Sequence, residues 1–400
     1  MTKTGEVAGE EGVLGRPGGG WPAVGVLAAA TFTVVTSEML PVGLLTPIGG
    51  DLGVSDGTAG LTLTVTGLVA AVSAPLLTML VGRWDRRAVL IALMGTLAAA
   101  NLLAAAAPGV VVLLVARVLV GLGMGGVWAL AAGLAVRLVP EGRVPAATSL
   151  IFSGVAAASV LGVPAGTLVG ELGGWRAAFV AMGAVCGVVA GALALLLPSL
   201  PSTGAVRLGG VLALFGRASV RTGLVLVALL VTGHFAAYTY VRPVLEEVAG
   251  AGAAQVGSLL LVFGVAGLVG NFVAGAGAAR SPRGALLVIC AVLAGAVLLM
   301  PVCGRAWGVA GGAVALAVWG LAYGGVSVST QTWLMAAAPK GREAASALFV
   351  AVFNGAIALG ALAGGRAADG WGAVGVLRLG GVLVVGALVT AGVGRAPAAG

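Results

Sequence analysis

Charge is scarce in this 400-residue chain: only 8% of its residues are Asp, Glu, Lys or Arg, against about 25% in a soluble domain. Its 21 basic and 13 acidic side chains are too few to coat one or two soluble domains of this size, which excludes a water-soluble globular protein. Histidine is nearly missing, with His234 alone, and the three cysteines, Cys186, Cys290 and Cys303, all fall in apolar runs. Cys290 and Cys303 share one run and would stand about 20 Å apart on a helix, so no disulfide framework is implied. What is abundant is apolar: 60% of the residues, with a mean hydropathy of +1.14. The 70 glycines keep no triplet period, which excludes collagen, and the chain is too apolar to stay unfolded in water. A polytopic membrane protein remains. Its apolar runs are long and unbroken rather than alternating over ~10 residues, so its spans are helices and not barrel strands.

Twelve spans are expected, at 22–45, 58–81, 87–107, 110–135, 146–169, 176–197, 223–245, 255–278, 284–303, 308–335, 344–366 and 373–394. A disordered tail (1–21) precedes them and a short tail (395–400) follows. The interior break at 198–222, with Pro198, Pro201, Arg207, Arg217 and Arg221, reads as a linker between two six-helix bundles, 22–197 and 223–394. The net charge of +8 is unevenly shared. Lys3, Arg16, Arg83, Arg86, Arg87, Arg137, Arg143 and the linker arginines fall on one side, joined by Arg280, Arg283, Lys340, Arg342 and Arg395. Only Arg176, Arg242, Arg305, Arg366 and Arg378 fall on the other. Because cytoplasmic loops collect Lys and Arg, both termini and the linker are expected in the cytoplasm, with the chain in the inner cell membrane.

The halves repeat at an offset of about 200 residues. Gly121-Leu-Gly-Met-Gly-Gly-Val127 matches Gly320-Leu-Ala-Tyr-Gly-Gly-Val326, and Pro140-Glu-Gly-Arg143 matches Pro339-Lys-Gly-Arg342. Parallel six-span halves are a transporter architecture, with the substrate site between them near the midplane.

Ionisable groups inside apolar runs are costly, so each is a functional candidate. Glu38 lies about 24 Å along the first span from Pro22, Arg117 in the fourth span and His234 in the middle of the seventh. A carboxyl in a cavity can take a proton from one side and release it to the other. If cargo competes for the same carboxylate, proton and cargo exclude one another, which is the minimal physics of antiport. The plainer alternative has Glu38 cap a kink near Pro41 or face the headgroups. Arg117 has an apolar counterpart, Leu316, in the second half, and that asymmetry favours function over snorkelling. His234 could relay protons or simply bond a neighbouring helix. Tyr238, Tyr240, Asn101, Asn271, Gln331, Trp333 and Asn354 are further groups that could line a cavity or bridge helices.

Three motifs complete the reading. Asp85, set between Trp84 and the arginines Arg86 and Arg87 in a tight loop, is placed to bind the N-terminus of a neighbouring helix and lock one conformation. Gly162-Val-Pro164-Ala-Gly166-Thr-Leu-Val-Gly170 sets glycines four apart around a proline, which permits close helix contact and a bend. Gly121-Leu-Gly123-Met-Gly125-Gly126 fits the dinucleotide pattern, but it lies inside a membrane helix and not between a strand and a helix N-terminus, so nucleotide binding is rejected. With no P-loop, CxxC or HExxH, no cofactor and no metal are expected.

Over nearly its whole length the chain resembles the major facilitator superfamily. It looks closest to the drug:proton antiporter branch that includes bacterial chloramphenicol, arabinose and purine exporters. The likeness is carried by Thr36-Ser-Glu38-Met-Leu-Pro41, Asp51-Leu-Gly-Val-Ser55, Asp85-Arg-Arg87, Arg117-x-x-x-Gly121-x-Gly123, Gly162-Val-Pro164-x-Gly166, Gly174-Trp-Arg176 and Gly233-His-Phe-Ala-Ala-Tyr-Thr-Tyr240. The resemblance implies that Asp85 and Arg86 gate alternation and that Arg117 takes part in proton transfer. It also implies that Gly162–Gly170 is the antiporter signature, found in exporters. The loop departs from the pattern at Asp85-Arg-Arg-Ala88, which is shortened, and its second-half counterpart Arg280-Ser-Pro-Arg283 has no acid.

The expectation is therefore an all-α membrane protein, not an enzyme. It would exchange protons for small organic molecules such as antibiotics or sugar- and nucleoside-type metabolites, as a monomer without nucleic-acid partners. A proton-coupled uptake symporter is the rival of the same fold, and a membrane-embedded transferase the rival of another class.

Overall fold

The computed structural model describes residues 20–80, 84–201, 214–339 and 342–395. Most of the expected N-terminal tail, the middle of the linker with Arg207, Lys340, and the C-terminal tail beyond Arg395 lie outside the described residues, as does Arg83. The described residues form helices and no strand. The first half holds α1 (Gly20–Leu52), α2 (Asp56–Leu80), α3 (Arg86–Ala105), α4 (Val110–Leu138), α5 (Val144–Ala157), α6 (Val163–Gly173) and α7 (Trp175–Leu196). The second holds α8 (Ala218–Tyr238), α9 (Val241–Ala249), α10 (Ala253–Arg280), α11 (Pro282–Gly324), α12 (Val326–Ala337) and α13 (Arg342–Val393).

Ten helical stretches are long and apolar enough to cross a membrane. Two of them are interrupted, α11 at Gly308 (φ 56°) and α13 at Gly372 (φ 66°). Both angles lie in the left-handed region where a Cβ is strained, and both glycines sit at expected boundaries between spans. The twelvefold count is met only by dividing the chain there. Large apolar side chains stand exposed on the outside of the bundle, among them Leu195 at 85%, Val188 at 72% and Val111 at 71%. A patch of that kind suits hydrocarbon and not water.

The glycine-rich stretch sets how α1 is held. Pro164 has no N–H to give residue 160, and the chain widens into a π turn at Ala158–Gly162 between α5 and α6. A Cβ on Gly154 would stand 2.2 Å from the Ala28 carbonyl oxygen, on Gly162 2.2 Å from Thr36 Oγ1, and on Gly166 2.2 Å from Leu40. At Gly170 it would stand 2.3 Å from Leu44. Four-residue steps on one side thus meet four-residue steps on α1, and the seam fixes the height at which α1 presents Glu38. The π turn also meets the other half, since a Cβ on Gly264 of α10 would stand 2.5 Å from the Ser159 carbonyl oxygen.

Candidate functional site

Glu38 is buried at 4% exposure and Arg117 at 0%. No ion pair within 4.0 Å joins them, although each lies within electrostatic reach of the other. Arg117 instead donates from Nη1 to the Ser37 carbonyl oxygen at 2.8 Å and stands 4.8 Å above the Phe179 ring. Its Nε and Nη2 have no partner, and neither have Glu38 Oε1 and Thr36 Oγ1. Buried polar atoms are normally satisfied, and each orphan costs on the order of 1–3 kcal/mol. Arg117, reaching the Ser37 carbonyl, brings these groups to one stretch of α1.

The second half answers with rings. His234 stacks on Tyr323 with centroids 3.3 Å apart and planes within 8°, and on Tyr238 at 5.0 Å. Tyr238 in turn stacks on Phe263 at 4.6 Å, and Trp319 stands edge-on to His234 at 5.8 Å. Trp319 Nε1 donates to His234 Nδ1 at 3.0 Å, which leaves the proton of the neutral imidazole on Nε2. That Nε2 is buried without a partner, as are Asn354 Oδ1 and Ser329 Oγ. The Glu38 carboxylate lies within electrostatic reach of the Tyr323 phenol, so the acid of one half and the rings of the other share one neighbourhood.

Other expected cavity groups are placed elsewhere. Asn101 gives its Nδ2 to Ser37 Oγ and to the Leu97 carbonyl, both at 2.8 Å, tying α3 to α1. Tyr240 donates to the Ala361 carbonyl at 2.8 Å and packs on Gly60 and Gly364, and Trp333 donates to the Ser219 carbonyl at 3.0 Å. Gln331 is exposed and Asn271 half-buried, and no hydrogen bond draws either to the rings. The residues that composition and spacing missed are Tyr323, Trp319, Phe263, Thr36 and Ser329. One signal was available for Tyr323: it stands where the first-half repeat has Met124.

The loop acid departs from expectation. Asp85 does not reach a neighbouring helix but caps its own, accepting at Oδ1 from the Arg87 N–H at 2.7 Å. Its Oδ2 accepts from Ser199 Oγ and, at 3.1 Å, from the Leu200 N–H. Arg86 gives its N–H to the Leu200 carbonyl at 3.0 Å, and Arg87 its guanidinium to the Ala194 carbonyl. The acid falls at the N-cap of α3, and N-cap geometry takes the nearest donors. Desolvation pushes the Asp85 carboxyl up, but the bonds from Ser199, Leu200, Arg87 and Ala88 outweigh it and hold the group below the usual carboxylate range.

At the Leu52 end of α1 the halves are bolted together. Arg242 of α9, 3% exposed, pairs with Glu171 of α6 at 2.8 Å and with Glu246 at 2.9 Å, and donates to the Gly43 carbonyl of α1 at 2.7 Å. Thr46 donates to Glu246 at 2.8 Å. Nearby, Asp369 of α13 accepts from the Gly57 N–H at 2.9 Å and from Ser55 at 2.9 Å, at the start of α2. Asp51 holds Arg176 and accepts from Trp175 at 3.1 Å within the first half, which accounts for the two stretches ending in Ser55 and Arg176.

Comparison with known proteins fits this architecture. Among curated proteins the chain is similar to transcription regulatory protein OpdE of Pseudomonas aeruginosa, 36% identical over 86% of each chain. It is likewise similar to the purine ribonucleoside efflux pump NepI of Salmonella paratyphi B, 37% identical over 93% of each. A crystal structure of a mutant form of the nucleoside transporter NupG shares the fold, with a TM-score of 0.73 at 13% identity, covering 92% of this chain and 97% of that one. The family model of the Major Facilitator Superfamily matches residues 27–361. With that match across most of its length and its helical fold, the chain belongs to the Major Facilitator Superfamily and is a multi-pass membrane transporter.

Proposed function

We propose that this chain exports small polar molecules with a planar ring, of nucleoside type, in exchange for protons. The observation that carries the reading is the aromatic cluster of the second half, within electrostatic reach of Glu38 in the first, together with the buried groups of both halves that lack a partner. Glu38 Oε1, Arg117 Nε and Nη2, and Thr36 Oγ1 belong to one half, and His234 Nε2, Asn354 Oδ1 and Ser329 Oγ to the other. A ring has stacking surface in His234 and Tyr323, and hydroxyls have an acceptor in Glu38. Export and the nucleoside class are supported by the name of the Salmonella relatives, which are 37% identical over 93% of this chain.

In this reading Glu38 holds either a proton or cargo, and Arg117, anchored on the Ser37 carbonyl, sets the field at the carboxylate. The glycine seam keeps α1 tight against α5 and α6, so that Glu38 moves with them. With the basic loops in the cytoplasm, the bolted end faces outward and the structure is the one closed to the outside. The Asp85 loop ties α3 to the chain leaving α7 in this state.

Everted vesicles containing the protein and a labelled purine ribonucleoside such as inosine test it. Uptake into the vesicles should follow an imposed proton gradient and collapse with an uncoupler. Glu38→Gln should remove the gradient-driven part while leaving binding of inosine measurable. Gradient-driven transport retained in full by Glu38→Gln would overturn the assignment. Accumulation in the opposite sense would establish the uptake symporter instead.

A further inference from the structure

The two halves of the broken helix α13 carry an arrangement that transport does not use. Arg366 lies six residues before Gly372 and Arg378 six residues after it. At 1.5 Å per residue both stand about 9 Å from the turn, at equal depth on neighbouring antiparallel helices. Both are exposed, and neither forms an ion pair among the described residues. The nearest acid along the helix, Asp369, is already taken by Ser55 and the Gly57 N–H.

Each arginine borders an apolar groove on the lipid-facing surface. One, of about 350 Å³, runs from Trp371 past Arg378 to Val382. The other, of about 470 Å³, runs from Arg366 past Leu362 to Leu359 and Leu383. Leu379 lines both, so the grooves adjoin beneath the two guanidinium groups. Trp371, 72% exposed, stands at the turn, where aromatic side chains sit at headgroup level. An arginine in this position needs a counter-anion, and guanidinium forks match phosphate oxygens.

We propose that Arg366, Arg378 and the two grooves form a site for one anionic phospholipid. Its phosphodiester is held between the guanidinium groups and its acyl chains lie in the grooves on either side of Leu379. Free phosphate would satisfy the arginines but leave the apolar channels unfilled, so the lipid is the occupant that fits both. The site joins α13 to Thr232 of α8 along the second groove. An occupying lipid would therefore clamp these helices within the second half.

Native mass spectrometry and thermal unfolding of the full-length protein test this, with phosphatidylglycerol, phosphatidylcholine or glycerol 3-phosphate added. Phosphatidylglycerol should stay bound and raise the melting temperature, while phosphatidylcholine and glycerol 3-phosphate should not. The double variant Arg366→Gln with Arg378→Gln should lose the preference for phosphatidylglycerol by at least tenfold, a loss of the size of one strong bidentate contact, about 1.4 kcal/mol. Arg305→Gln, an exposed arginine near the Gly308 turn, should keep it. Should the double variant not purify, Val382→Trp, which fills the first groove from an exposed position, should lose the preference with both arginines in place. Retained preference in the double variant or in Val382→Trp overturns the site. So does equal binding of glycerol 3-phosphate, or an equal loss in Arg305→Gln.

Discussion

Residues decide most here where a polar group meets an apolar interior. Glu38, Arg117 and His234 stood out in the sequence because charge and imidazole are scarce in the runs that hold them. Their burial agrees with that reading, but their partners could not be read in advance. That Arg117 would bond a backbone carbonyl and not the acid depends on the height of α1 against α4. A glycine seam sets the height of α1 against α5 and α6, and composition says nothing of either. The same seam gives a sharp prediction. Gly154→Ala places its methyl against the Ala28 carbonyl oxygen, a backbone atom that cannot step aside, and should cost about 1–3 kcal/mol. Gly166→Ala meets only the end of the Leu40 side chain, which can rotate at a cost of about 0.5–1.5 kcal/mol. Melting curves in detergent should rank the two variants in that order. His234→Phe keeps a ring in the stack but removes the Nε2–H. It should weaken inosine binding about tenfold if that donor meets cargo, roughly one hydrogen bond of 1.4 kcal/mol, as calorimetry on the purified protein would register.

Helices and their ends form the next level. Span positions were legible because hydrophobic length is a strong signal, and the breaks at Gly308 and Gly372 fall where polar or glycine-rich loops were expected. The target of Asp85 was not legible. Its sequence neighbours announce an acid at a helix start, but whether it caps its own helix or a neighbour's depends on where residues 199 and 200 return, which is a tertiary fact. Capping makes a pH prediction. The folded-state pKa of Asp85 lies below its unfolded value, near 3.9 for a free aspartate. Its stabilisation is therefore complete above that value and is lost as pH falls through the lower folded one. Amide exchange at Arg87 and Leu200 should speed up on acidification below about pH 4 in the native chain. In Asp85→Asn the exchange should be insensitive to pH over that range, after correction for intrinsic rates. Asp85→Ala should lose about 1 kcal/mol, the ordinary value of an N-cap.

For the whole molecule, the duplicated sequence pointed to two parallel halves but said nothing of the contacts between them. Arg242 entered the topology count only as a basic residue on the sparse side. Its spacing of four from Glu246 hinted at a pair, while Glu171 and Gly43 come from other helices and leave no trace in spacing. Removing one member of a buried pair costs about 3–5 kcal/mol because it strands the other charge. Arg242→Gln should therefore move the population away from the state bolted at the Leu52 end. Spin labels at Gly50→Cys and Gly370→Cys, both exposed with open space around them, should gain a longer-distance population in that variant. An unchanged distribution would show that the bolt does not hold the halves together. Arg242 grips the peptide backbone of α1 at Gly43, five residues along the same helix from Glu38, with Pro41 between them. Under the proposed exchange, a shift of that helix at one point would reach the other without any chain of proton carriers between them. Loading of the acid and release of the far door would then be two readings of a single lever.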